Sequence, residues 1–318
     1  MSTRHIIAVH RPGQPGWIEP GSEQHRAMIS PSKVAAILGY SRWDSPHALW
    51  HRMKGLVEDD PPKDIFSMGH DCEPTAARRW LRLNPGWKLS PDEVQFVIDP
   101  EHFGFPAMVT LDRRGVCGSS RRAVEFKIAR DLEELDKWGD DLSGECPEDY
   151  ATQVAAEMLF TGFTKLDGHL LALGPYWQER LYPISYDANI AAWMIREIRA
   201  FWDSMRSNTI PPLDDRPATY ATVRKLHPDI TPGTTVQLDP HLAGRYLQAI
   251  ADHKQMETEL RGLKTAVLDA MGDNEAALVG ELAIAKRTPH ASGSVALTKA
   301  RKTTTADLEF LTAERTPA

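Results

Sequence analysis

Two short segments, Ala107-Met108-Val109-Thr110-Leu111-Asp112 and Ala123-Val124-Glu125-Phe126-Lys127-Ile128, decide how this sequence is interpreted. Each segment is an apolar run of strand length. Side chains alternate along a strand, so Glu125 and Lys127 share one face and Phe126 points the other way. The intervening residues include Gly and Ser, which predicts a hairpin that brings Asp112 close to Glu125.

Two carboxylates and an amine at one place are typical of a metal-dependent phosphodiesterase. In such a site, carboxylate oxygens hold Mg²⁺ and the ammonium acts on the nucleophile or on the developing charge. Taken alone, Glu-x-Lys on a strand is also typical of a solvated face with a cross-strand ion pair. The rest of the chain has to decide between the two interpretations.

The composition is that of an ordinary globular protein with an acidic balance. The chain has 318 residues, of which 42% are hydrophobic and 25% charged, and its formal net charge is −7. This charge argues against a generally basic nucleic-acid binder. The window from Leu111 to Asp131 nevertheless holds six basic and three acidic residues, so a local basic channel remains compatible with the sequence.

Cysteine usage and hydropathy exclude several classes. The three cysteines, Cys72, Cys117 and Cys146, show no C-x-x-C spacing, so we expect no disulfide framework, no zinc cluster and no iron–sulfur cluster. The first residues lack an apolar signal core, and no run approaches the roughly 20 apolar residues of a membrane span. The sequence therefore predicts a reduced, cytoplasmic protein with no membrane partner.

The order of elements predicts an α/β (α+β) fold, with a small mixed sheet flanked by helices. Helices are expected after Ser30 and Ser45, over about 68–83, 147–160 and 188–205, and strands near 94–98, 107–112, 123–128, 166–173 and 181–186. Residues 1–210 form the expected main domain, and the proline-rich stretch 211–238 is expected to be a linker. Residues 239–318 are expected to form an appendage with a long helix, a β-hairpin over 276–287 and a loosely ordered tail from His290.

A helix that begins at Ser30-Pro31-Ser32-Lys33 offers a phosphate-binding hypothesis. Helix N-termini present free N–H groups, Ser32 adds a hydroxyl, Lys33 adds a charge, and Arg26 lies close in sequence. The simpler interpretation, which the pattern favours, is that Ser30 only caps the helix.

Polar residues on two further helices are candidates for a cleft. Glu73 lies early in a helix, where the helix dipole already favours an acid. Tyr150, Gln153 and Glu157 fall on one face of a helix whose other positions are largely apolar. We therefore expect this polar stripe to face a polar cleft rather than open solvent.

In this order the motifs resemble the YqaJ viral recombinase family, which is similar to the phage lambda exonuclease within the PD-(D/E)xK nuclease superfamily. The motifs are the Ser-x-Lys helix start, Gly69-x-x-x-Glu73-Pro74, the strand that ends at Asp112, Glu125-Phe126-Lys127, and Tyr150-x-x-Gln153. The resemblance covers about residues 22–205 and implies a restriction-endonuclease-like core. Where the superfamily has Pro-Asp, this chain has Leu111-Asp112.

The resemblance implies roles for individual residues. Asp112, Glu125 and the backbone carbonyl of Phe126 resemble the metal ligands, and Lys127 resembles the catalytic lysine. Glu73 resembles the helix carboxylate that supports a second metal. Gln153 and Tyr150 resemble active-site helix residues near the scissile phosphate or the attacking water, with Gln153 among the catalytic residues and Tyr150 among those that bind DNA. Ser32 resembles the residue that meets the terminal phosphate, with Lys33 and Arg26 beside it.

The same resemblance implies a Mg²⁺-dependent exonuclease, with Mn²⁺ as a substitute, that resects linear double-stranded DNA ends from 5′ to 3′. It further implies a phage or prophage origin, action in the bacterial cytoplasm, a ring-shaped trimer and a single-strand annealing recombinase as partner. Two alternatives remain open at this point. One is a Cas4-like or endonucleolytic nuclease, and the other is a non-catalytic scaffold that binds DNA ends.

Overall fold

The computed structural model describes residues 5–58, 64–132, 138–289 and 293–300, together with residues 307 and 311. The chain divides into two units, Met1–Asp229 and Ile230–Ala318, and each is described by itself.

The helices of the first unit are α1 (Glu23–Arg26), α2 (Pro31–Ile37), α3 (Pro46–Met53), α4 (Asp64–Leu83), α5 (Pro100–Phe103), α6 (Glu148–Thr161), α7 (Ala188–Ser207) and α8 (Pro217–Leu226). Its strands are β1 (Ile6–His10), β2 (Lys88–Leu89), β3 (Val94–Ile98), β4 (Ala107–Leu111), β5 (Arg113–Cys117), β6 (Ser120–Ile128), β7 (Gly168–Leu173) and β8 (Glu179–Ile184). The expected α/β class is confirmed.

The strands form two sheets rather than the single small sheet expected. One sheet has the order β1-β3-β4, and the other has the order β2-β5-β6-β7-β8. In the second sheet β6 and β7 are parallel and the other pairs are antiparallel, so the sheet is mixed as expected. Strand β4 ends at Leu111 and β5 begins at Arg113, so Asp112 is the residue at which the chain passes between the sheets.

Alternation along β6 separates two apolar clusters. Ala123 belongs to the large core cluster, which contains Val154 and Phe160 of α6 and Ile198 of α7. Val124 and Phe126 belong to a smaller cluster with the fully buried Trp80 of α4. Helix α6 therefore covers the face of the sheet that carries Glu125 and Lys127, and α4 covers the opposite face.

Several local expectations differ from the structure. Strand β1 lies within residues 1–29, where the glycines and prolines predict irregular structure, because the apolar run Ile6–His10 pairs with β3. Strand β5 occupies most of the expected turn, which is reduced to the few residues around Gly118. Pro74 lies inside α4 rather than at its start.

The stretch expected as a linker contains α8, and its contacts are with the first unit. Thr219 is buried, and its hydroxyl lies 2.7 Å from that of Ser45 at the start of α3. Arg216 donates to the carbonyls of Ser41 and Gly39. These long-range hydrogen bonds hold α8 in place, and composition alone does not reveal them.

The second unit contains α9 (Pro240–Met271), β9 (Ala276–Val279), β10 (Leu282–Pro289) and β11 (Val295–Lys299). The long helix and the hairpin β9–β10 lie where the sequence predicts a helix and a hairpin. Strand β11 extends the hairpin to a three-stranded sheet, in a region expected to be loosely ordered, since residues 295–299 pair with β10. Most of the tail beyond Ala300 lies outside the described residues.

Candidate active site

The centre of the candidate site is Asp112, at the junction of the two sheets. Its Oδ2 accepts a hydrogen bond of 2.8 Å from the backbone N–H of Phe126, so the hairpin β5–β6 places it beside Glu125 as expected. Burial, followed by the charge of Glu125, raises the pKa of Asp112 well above its usual range, although Lys127 and the Phe126 N–H act in the opposite direction. Asp112 therefore lies where a negative charge is unfavourable, because the site is buried and the charge of Glu125 is close.

Glu125 and Lys127 form an ion pair on the face that α6 covers. The Glu125 side chain is 3% exposed and that of Lys127 is 23% exposed. Burial lowers the pKa of Lys127, but the carboxylates of Glu125 and Asp112 outweigh burial and raise the pKa above its ordinary value. Lys127 is therefore a charged ammonium in this arrangement.

Gln153 and Glu157 complete the centre from α6. The Gln153 amide donates to Oε1 of Glu125 at 2.6 Å and to Oε1 of Glu157 at 3.1 Å. Glu157 is 0% exposed, and burial together with the charges of Glu125 and Asp112 raises its pKa well above the usual range. The sequence places Glu157 on the polar stripe of this helix but assigned it no role in the site. An acid on an otherwise apolar helix was the feature that could have indicated such a role.

Glu73 reaches the same region from α4, on the other side of the sheet. One of its oxygens lies 2.7 Å from Nδ1 of His70, and the other accepts from Arg113 at 3.3 Å. Arg113, whose side chain is 5% exposed, also donates to the carbonyl of Asp112. Arg113 is therefore a link between Glu73 and the junction residue that sequence reasoning missed.

A further acid, Glu93, lies just before β3. Its pKa is raised by burial and by the charges of Glu73 and Glu125, which places it within electrostatic range of the same centre. Sequence reasoning also missed Glu93, since nothing in its local pattern distinguishes it from a solvated acid.

Tyr150 packs against the catalytic lysine candidate. Its ring lies 5.1 Å from Nζ of Lys127 and 5.0 Å from the guanidinium carbon of Arg42. Arg42 makes two hydrogen bonds, of 2.9 and 3.1 Å, with the carboxylate of Asp149. Cation–π contacts of this kind fix the direction of the lysine side chain.

The residues expected at the terminal phosphate occupy a separate segment, α1 and the start of α2. Ser30 is at the N-cap position of α2, but it does not cap through its side chain, and its hydroxyl lies 3.1 Å from that of Ser32. Lys33 donates to the carbonyls of His25 at 2.6 Å and Met28 at 2.7 Å, so its ammonium stabilises the end of α1. Arg26, the last residue of α1, is half-buried.

The donor set has the chemistry that a divalent cation requires. Among the described residues, no three His, Cys, Asp or Glu side chains alone converge in a metal-binding geometry. Oε2 of Glu125 and Oε2 of Glu157, however, are buried and have no hydrogen-bond partner in the described part of the chain. Buried anionic oxygens without partners are costly, and hard oxygen donors are what Mg²⁺ prefers, so the residues present fit the ion.

The fold and the site together define a mixed α/β domain with a carboxylate–lysine centre at the junction of two sheets. Residues 22–164 match the family described as YqaJ-like viral recombinase domain. The expected resemblance to this family is thus confirmed over these residues. No curated protein matches the chain.

Three solved structures are similar in outline. An alkaline exonuclease from Laribacter hongkongensis (LHK-Exo) is 16% identical with a TM-score of 0.43, over 57% of this chain and 89% of its own. The same exonuclease in complex with dAMP is 17% identical with a TM-score of 0.45, over 58% and 91%. A structure titled SSO0001 is 12% identical with a TM-score of 0.36, over 66% and 88%.

Proposed function

We propose that this protein is a Mg²⁺-dependent DNA exonuclease that resects linear double-stranded ends. The observation that carries the proposal is the convergence of Asp112, Glu125 and Lys127 with two unpartnered buried carboxylate oxygens. Such a concentration of negative charge is costly unless a cation joins it. The match of residues 22–164 to the YqaJ-like viral recombinase domain supports a role in phage-type recombination.

Asp112, Glu125 and the carbonyl of Phe126 are the proposed ligands of one ion, and Mn²⁺ is the expected substitute. Glu157 and Glu73 are the carboxylates proposed to support a second position. When bound, a divalent ion lowers the pKa of its water and stabilises charge on the phosphate oxygens.

The chain's own side chains have separable tasks in this proposal. Lys127 orients the attacking water through its ammonium, which also stabilises negative charge that develops on the reacting oxygens. Gln153 holds Oε1 of Glu125 in place, and the ring of Tyr150 restricts the lysine to one direction. Ser32 is the proposed contact of the terminal phosphate, with Lys33 and Arg26 as the neighbouring basic residues.

From the resemblance of residues 22–164 to this family we further propose digestion from 5′ to 3′, a ring-shaped trimer and a single-strand annealing recombinase as partner. The proposed place of action is the cytoplasm of a bacterium that carries the phage or prophage. Within the described residues, no helix has the length and apolar character needed to span a membrane.

The decisive experiment uses purified protein with linear and closed circular duplex. Linear DNA labelled at one end should be digested with Mg²⁺, and digestion should stop with EDTA and with Lys127→Ala. Lys165→Ala, at an exposed lysine on the same unit, is the matched control and should digest normally.

Each result points to one interpretation. Undiminished digestion by the Lys127→Ala protein would remove the proposed site. Equal cutting of closed circles would replace the exonuclease with an endonuclease. A protein that binds ends but neither digests DNA nor binds Mg²⁺ by calorimetry would be the non-catalytic scaffold.

A further inference from the structure

Strand register gathers basic side chains on one face of the hairpin β5–β6. Arg121 and Lys88 both lie opposite Val116, one from β6 and the other from β2. Directly opposed residues of antiparallel strands share a face, and Arg114 follows on that face two residues before Val116. We call Lys88, Arg114 and Arg121 the basic row.

The basic row lies on the same sheet face as the candidate active site. Arg121, Glu125 and Lys127 are separated by even numbers of residues along β6, so their side chains leave the sheet on the same side. The four residues from Arg121 to Glu125 span about 13 Å at the usual rise of a strand. The basic row therefore leads from the hairpin tip toward the carboxylates.

The other two arginines of the hairpin, Arg113 and Arg122, make contacts within the protein. Arg113 contacts Glu73, and Arg122 lies 4.6 Å from the ring centroid of Trp87 and 3.1 Å from Nδ1 of His169. Both leave the opposite face, which α4 covers. This contrast separates arginines that have partners from those of the basic row.

The basic row has no carboxylate partner among the described residues, whose ion pairs all involve other side chains. Within the residues that the structure describes, the Arg121 side chain donates to the carbonyls of Gly118 and Ser120, at 3.0 and 2.9 Å. The charges of Arg121 and of the exposed Arg11 lie within electrostatic range of Arg114. Like charges gathered without a counter-ion are unfavourable, and an anion would relieve the repulsion.

We propose that the basic row, extended by Arg11, binds phosphates of the DNA strand that enters the active site. The proposal rests on the proposed nuclease function and adds the path of the substrate. Guanidinium groups are suited to this task because they contact phosphate oxygens through two parallel N–H groups. The proposed role of the basic row also explains how a chain with a net charge of −7 binds DNA, because positive charge is concentrated where the strand passes.

The test is the salt dependence of DNA binding, measured by fluorescence anisotropy in EDTA with a labelled duplex. The variant is Lys88→Gln, Arg114→Gln, Arg121→Gln. Removing one charged side chain from a duplex phosphate reduces the slope of log K against log [salt] by about 0.9, so the slope should fall by about 2.7. The matched control is Arg196→Gln, Arg206→Gln, Arg224→Gln, which changes the net charge equally at exposed positions of α7 and α8.

Two further measurements show what causes a change in the salt slope. Lys88→Arg, Arg114→Lys, Arg121→Lys keeps the charge and should keep the slope, which separates the removal of phosphate binding from misfolding. Comparing 5′-phosphorylated with 5′-hydroxyl duplex locates the phosphate: an equal decrease in slope indicates the strand backbone, and a decrease confined to the phosphorylated end indicates the terminal phosphate.

An unchanged slope in the Gln variant, or an equal decrease in the control, would overturn the proposal. Digestion by the wild-type protein is measured on the same preparation. If the wild-type protein digests DNA but the salt slope of the Gln variant is unchanged, only the role of the basic row is refuted. If the slope of the variant decreases as expected but the wild-type protein does not digest DNA, only the nuclease function is refuted.

Discussion

Replacement of Glu157 by Gln tests whether the buried acids are arranged for a cation. Glu157 is 0% exposed, its Oε2 has no hydrogen-bond partner among the described residues, and burial together with the charges of Glu125 and Asp112 raises its pKa. A buried polar group without a partner costs about 1–3 kcal/mol, and a charged group costs more. The neutral amide retains the shape of the side chain and removes its negative charge from beside Glu125 and Asp112.

We therefore expect Glu157→Gln to increase the free energy of unfolding by about 1–3 kcal/mol in EDTA, since it removes this cost. Mg²⁺ should act in the opposite sense. An ion at 100 times its Kd stabilises a native protein by about 2.7 kcal/mol, and the variant should lose part of this stabilisation because one carboxylate is gone. A variant that is more stable than wild type in EDTA but gains less stability from Mg²⁺ would show that these acids are arranged to bind a cation.

Urea unfolding at pH 7.5, with EDTA and with Mg²⁺, measures both quantities. Glu148→Gln is the matched control, because Glu148 lies on the same helix and is exposed in its first turn. It should change stability only slightly and leave the Mg²⁺ effect intact. If Glu157→Gln is less stable than wild type in EDTA, or gains as much from Mg²⁺, the reasoning is refuted.

Two predictions concern groups outside the site. Burial and the charge of Arg122 lower the pKa of His169 to about 3, so between pH 6.5 and 3 only the unfolded chain takes up this proton. The free energy of unfolding should fall by about 2 kcal/mol from this residue between pH 6.5 and 5, and urea unfolding of His169→Gln should show a correspondingly shallower dependence on pH. Burial raises the pKa of Cys146 to about 12, whereas Cys117 is exposed, so at pH 8 iodoacetamide should alkylate Cys117 at least about 1,000-fold faster. Mass spectrometry of the labelled protein checks this, and comparable labelling of the two thiols would contradict it.

The elements predicted best are those whose signal is local. Strands β3, β4 and β6 follow from short apolar runs, and α7 follows from apolar residues at helical spacing. The position of Asp112 close to Glu125 was also predictable, because period-two alternation and a short turn leave little freedom in the register of a hairpin.

The elements that were missed depend on distant partners. Strand β1 is stabilised by pairing with β3, and α8 is held by contacts of Arg216 and Thr219 with residues more than 170 positions earlier in the chain. A proline-rich or glycine-rich context gave no sign of these contacts. Composition describes local preference, and tertiary packing can override it.

The sequence by itself determined the face on which Glu125 and Lys127 lie and the presence of a carboxylate at the end of β4, because alternation and turn chemistry act over a few residues. Only the tertiary structure showed that Gln153 joins Glu125 to Glu157, that Arg113 holds Glu73, and that two of the hairpin's four arginines share the face of the site. These relations require helices packed on opposite faces of one sheet. Burial and the sum of nearby charges then determine how each group behaves, and neither quantity exists until the chain is folded.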